Sequence, residues 1–72
     1  HQTRRTDAMF LIHDSDDGRR QIWAAREPHG WDFYVYGLTA SGDPRIASTL
    51  GAACDLLGVD ARPILDAAPC LG

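Results

Sequence analysis

Seventy-two residues with a formal net charge of −3 allow one small domain, residues 1–72. No apolar run approaches the roughly 18 residues that cross a bilayer. The acidic balance suits non-specific nucleic-acid binding poorly, because such binding depends on neutralising phosphates. The two cysteines, Cys54 and Cys70, are too few for a stapled secreted scaffold of this size. Both are expected as free thiols in a cytoplasmic protein, with a single Cys54–Cys70 bridge as the alternative. A chain this short buries a modest core and gains from a partner or a second copy. Every basic residue is Arg, and all the acids but Glu27 are Asp. That bias reads as genome composition. Residues 1–26 carry five Arg against four Asp, while residues 27–72 carry two Arg against Glu27 and five Asp. The second part of the chain therefore holds the negative charge, which suits a basic partner or simple solubility.

In chain order, residues 1–7 are polar, lack an apolar leader and are expected to form a flexible tail. His1 stands where an initiator Met belongs and is read as a tag remnant. Residues 8–13 (AMFLIH) form a short apolar run bounded by turn residues, the pattern of a strand. Residues 14–18 (DSDDG) form a loop, because Asp and Ser bond their own backbone and Gly accepts positive φ. Residues 19–26 (RRQIWAAR) are the second strand. Glu27-Pro28-His29-Gly30 is a tight turn. Residues 31–38 (WDFYVYGL), rich in aromatic and branched side chains, are the third strand.

That turn predicts a register. Arg26 pairs with Trp31, Ala24 with Phe33 and Ile22 with Val35. Phe10 and Ile12 join this side, which is apolar and becomes the core face. The opposite face pairs Trp23 with Tyr34 and Gln21 with Tyr36, flanked by Met9 and Leu11.

Asp43 is a suitable N-cap and Pro44 suits a first helical position. Ile46, Ala47, Leu50, Ala53, Cys54 and Leu57 recur at helical spacing, and Gly58 is a natural stop. One amphipathic helix is therefore expected over residues 44–57. Gly51 inside it is expected to permit close approach of helix to sheet. Asp60 caps a second, short helix over residues 61–68, ended by Pro69. The fold class is α+β: a three-stranded antiparallel meander packed on one main helix (βββα), with a short C-terminal helix. The expected core is Phe10, Ile22, Phe33, Val35, Ile46, Leu50 and Leu57.

Constellations able to carry catalysis or bind a cofactor are weak. His13, Asp14 and Ser15 are triad-type residues, but they are chain neighbours, and a triad is assembled in space. Asp14, Asp16 and Asp17 before Gly18 have part of a calcium-loop spacing, yet Ala25 stands where a bidentate Glu belongs. His13, His29, Cys54 and Cys70 lack the close pairwise spacing of a structural zinc site. Cys54 has no positioned base. No Gly-rich phosphate loop is present. Neither a metal, a cofactor nor an enzyme activity is expected.

Two features point to binding instead. Leu50, Ala53, Cys54, Leu57-Gly58-Val59, Ile64 and Ala67 form a pattern that resembles the helix-turn-helix of bacterial regulators. The resemblance covers about a quarter of the chain. It implies a first helix over residues 50–57, a recognition helix over 60–68, and a DNA-binding regulator. That second helix offers one base-reading side chain, Arg62, beside two acids that would face phosphate. The other feature is the outer sheet face, with Trp23, Tyr34, Tyr36, Met9 and Leu11, rimmed by Arg19, Gln21 and Asp32. Trp, Tyr, Met and Arg are enriched in protein interfaces. Exposed aromatics also stack bases, and cover by the C-terminal segment is the remaining alternative for this face. The leading expectation is a non-enzymatic protein-binding module, an inhibitor or accessory regulator. Small acidic proteins of phages and plasmids, anti-CRISPR inhibitors and antitoxins among them, are similar in size and charge. The expected partner is another protein or a second copy of this chain. The partner-binding residues are Met9, Arg19, Gln21, Trp23, Tyr34 and Tyr36.

Overall fold

The computed structural model describes residues 9–72. Ala8 and the expected tail lie outside the described residues. Three strands follow one another as a meander: β1 (Met9–Asp14), β2 (Gln21–Glu27) and β3 (Gly30–Tyr36). The β2–β3 register follows from the short turn between them. Ile22 pairs with Val35, Trp23 with Tyr34, Ala24 with Phe33 and Arg26 with Trp31. Alternation then sends Ile22, Ala24, Phe33 and Val35 to one face, where all four are buried.

A fourth strand replaces the first part of the expected long helix. β4 (Arg45–Ala47) pairs antiparallel with β3, and the sheet order is β1-β2-β3-β4. Asp43 and Pro44 therefore do not start a helix. Asp43 belongs to a loop in which Thr39 Oγ1 donates to its carbonyl at 2.8 Å and Ser41 Oγ donates to its carboxylate at 3.2 Å. Pro44 precedes the strand, where its missing N–H costs no ladder bond. The helix α1 (Leu50–Leu57) begins at Thr49, whose hydroxyl oxygen accepts the Ala52 N–H at 3.1 Å. It ends at Gly58, which is left-handed at φ 70°, and the Val59 N–H returns to the Cys54 carbonyl at 3.0 Å. This is a Schellman-type stop.

Asp60 Oδ1 accepts the Arg62 N–H at 3.0 Å at the start of α2 (Arg62–Ala67), whose N-cap position is Ala61. A single 3₁₀ turn, Pro69–Leu71, follows. It inserts Leu71 into the core beside Ile22, Phe33, Leu50, Ala53 and Cys54. Among the described residues, no helix is long and apolar enough to cross a membrane.

Two expected core residues lie at the surface. Ile46 is 61% exposed, because β4 turns it to the face opposite Ala47. Phe10 faces the helix side but is 51% exposed. An eight-residue helix is about 12 Å long and about 10 Å across. Here α1 lies over β3 and β4, away from the β1 edge. Phe10 instead rests against Trp31, with ring centroids 6.1 Å apart. Leu57 is half-buried at the core's margin. Gly51 is not a point of close approach, since a Cβ there would meet open space. Gly37 has that role: at φ 97°, it passes so close to the Arg19 carbonyl and Arg20 that a Cβ would overlap them.

Candidate functional site

The outer sheet face is built by one ladder row crossing all four strands. Leu11 pairs with Trp23, Trp23 with Tyr34, and Tyr34 with Ile46. Cross-strand partners of this kind have Cβ atoms roughly 5 Å apart, so neighbouring side chains touch. Three interstrand steps make the stripe about 14 Å long. Leu11 is 44% exposed, Ile46 is exposed, and Trp23 and Tyr34 are half-buried. Among the described residues, no helix lies over it. The C-terminal residues Ile64, Leu65, Ala68 and Leu71 pack against the core cluster on the other face.

The indole at the centre of the stripe is held in place. Trp23 Nε1 donates to Gln21 Oε1 at 3.0 Å, and Gln21 Nε2 donates to Asp14 Oδ1 at 3.5 Å. This chain satisfies the polar edge of the ring and leaves its apolar surface outward. Large side chains fixed in this way bury area at low entropic cost.

Of the residues singled out from sequence, Met9, Gln21, Trp23, Tyr34 and Tyr36 share this face. Met9 lies on the row with Ala25 and Asp32, and Gln21 with Asp14 and Tyr36. Arg19 stands apart, in the β1–β2 loop, where its backbone N–H donates to Asp17 Oδ1 at 3.0 Å. Ile46, not anticipated here, completes the stripe. Its helical spacing concealed a strand.

A bulge in β1 puts Leu11 opposite Trp23 and His13 opposite Ile22, with Ile12 as the extra residue. Past the bulge the alternation changes phase. His13 falls on the helix side and Asp14 on the outer side, so His13, Asp14 and Ser15 do not converge. Ser15 Oγ donates to Asp17 Oδ1 at 2.6 Å. That bond and the Arg19 N–H hold the Asp17 carboxyl below its usual range. The acidic loop thus spends donors and acceptors on its own turn. Cys54 is buried, and desolvation raises its thiol pKa, with Asp55 and Asp60 adding to the effect. Cys70 is exposed, and neither cysteine is bonded to another.

A shallow cavity of about 400 Å³ opens on the helix side, lined by Trp31, Phe33, Thr49, Leu50, Leu65 and Leu71 among others. Among the described residues, no titratable side chain lines it. At the helical corner, Arg62 is exposed and only 4.0 Å from Asp60 Oδ1. Leu50, Ala53 and Cys54 are buried and Val59 and Ile64 pack against them. The corner thus has an apolar packing role. The six-residue α2 presents Asp66 beside its one base. No family model, curated protein or solved structure matches the chain.

Proposed function

We propose that this protein is a non-enzymatic binding module, an inhibitor or accessory regulator, that engages another protein through its outer sheet face. The observation that carries the reading is the solvent-accessible row Leu11–Trp23–Tyr34–Ile46 with its hydrogen-bonded indole. Contiguous apolar patches on small domains mark interaction sites, and a few aromatic anchors supply most of an interface's energy. Among the described residues, the side chains with acid–base or nucleophilic character are dispersed, which supports a binding role over a catalytic one. The DNA-binding alternative rests on the helical corner at residues 50–68, with Arg62 as its one base-reading side chain.

The test compares wild type with Trp23→Ala and Tyr34→Ala. Each variant is immobilised and exposed to an extract of the protein's host, and each is also examined by light scattering and circular dichroism. One stoichiometric partner, retained by wild type and lost by both folded variants, supports the proposal. Equal retention by all three contradicts it. Retention of duplex DNA that depends on Arg62 would replace it with the regulator reading.

A further inference from the structure

We infer that the outer face takes a basic protein surface, with an apolar centre flanked by Arg or Lys side chains. This inference rests on the reading of that face as the binding site, and it is carried by how charge is divided between the two sheet faces.

The charged strand positions segregate by face. Alternation puts Asp14, Glu27 and Asp32 on the outer face with Trp23 and Tyr34. The two strand arginines go to the helix side. Arg26 pairs with Trp31 and lies 5.3 Å from the centre of its ring, and Arg45 pairs with Val35. The acids flank the stripe on both sides. Asp14 lies on the Gln21–Tyr36 row, and Asp32 on the Ala25–Met9 row. Each row is two residues from Trp23 along its strand, or about 7 Å, so the two rows lie about 14 Å apart along the strand direction, one on each side of the stripe. His29 contacts this rim through Asp32 at 2.9 Å.

An acidic rim around an apolar centre selects against two other occupants. Nucleic acid would bring phosphates against three carboxylates, although the aromatics alone would suit base stacking. A second copy would set two acidic rims face to face, in molecules that each carry −3. A partner with cations on either side of an apolar patch meets both requirements of the face. Its charges speed encounter and fix register, while Trp23 and Tyr34 supply buried area.

The experiment uses two peptides of about a dozen residues. One alternates Arg with Trp and Leu, and the other has Glu in place of each Arg. Each is titrated into the full chain and followed by ¹H–¹⁵N correlation spectra. The expected result is binding of the basic peptide, with shifts at Leu11, the Trp23 indole, Tyr34 and Ile46. Affinity should exceed that of the acidic peptide by roughly tenfold or more and weaken with added salt. The combined variant Asp14→Asn, Glu27→Gln, Asp32→Asn, verified as folded by circular dichroism, should remove most of that preference. If both peptides bind equally well at the stripe, the face is still a binding site and the charge inference is overturned. A chain that dimerises through the stripe, or binds neither peptide, also overturns it. Failure of the binding-site reading itself shows separately, as capture of the host partner indifferent to Trp23→Ala.

Discussion

The two faces of this sheet are built from the same strands and almost the same kinds of side chain, and they have opposite fates. On the helix side, Ile22, Ala24, Phe33 and Val35 are buried beneath α1 and Leu71. One residue along each strand, Trp23 and Tyr34 remain half-exposed beside Leu11 and Ile46. Hydrophobicity alone does not decide which of these is core. Cover decides it, and a chain of this size has one main helix to provide it. Residues on the covered face should therefore govern stability, and those on the open face should govern association.

The largest expected effect is on the covered face. Leu50→Ala removes a buried side chain from the first turn of α1 and should cost about 2–5 kcal/mol in denaturant unfolding, enough to unfold a domain this small. A nearly unchanged transition would mean that α1 does not provide the cover. Gly37→Ala should be the next most damaging. It forces a Cβ into a left-handed position against the Arg19 carbonyl, a strain of about 1–3 kcal/mol. Gly51→Ala, by contrast, adds a methyl group in open space and should be neutral or slightly stabilising in the same melt.

These two glycines show how much of the molecule was legible. The β2–β3 hairpin was read residue by residue, because a short turn and period-two alternation are local properties. The stripe residues Trp23 and Tyr34, and Tyr36 on the flanking row, follow from the same register. β4 was not legible. Ile46, Ala47, Leu50, Ala53 and Cys54 fall at helical spacing by coincidence, and what makes Arg45–Ala47 a strand is pairing with β3, a contact absent from any local pattern. Helical spacing therefore points Ile46 into the core when it belongs to the open face, and Gly51 to the close approach that Gly37 makes. Leu71 was missed because it reaches the core only through the turn after Pro69. Phe10 was placed on the correct side of β1, but a sequence does not report how far a short helix extends across a sheet.

Smaller effects refine the same division. Thr49→Ala removes the cap that starts α1 and should cost about 1 kcal/mol, whereas Asp43→Ala should leave helix content unchanged. Equal losses from the two would restore a helix beginning at residue 44. The smallest effect concerns His29. Its hydrogen bond to Asp32, and then the charge of that carboxylate, raise its pKa above the ordinary histidine value, with Glu27 contributing. The sign follows from a raised folded value. The pair's stabilisation is complete below the unfolded histidine pKa, fades as pH rises through the folded value, and is absent above it. In an NMR titration, Asp32→Asn should return His29 toward its ordinary value. An unshifted titration would place His29 away from the acidic rim.

The most direct test of the division between faces is an alanine scan of four consecutive residues in β3, Phe33, Tyr34, Val35 and Tyr36, read by denaturant unfolding of the purified chain. Phe33→Ala should cost about 3–5 kcal/mol, and Val35→Ala should also be strongly destabilising. Tyr34→Ala and Tyr36→Ala should cost a small fraction of that. A saw-tooth of this form is what an open outer face predicts. If Tyr34→Ala destabilises the chain as much as Phe33→Ala does, both faces are core, and the outer face is not free to bind a partner.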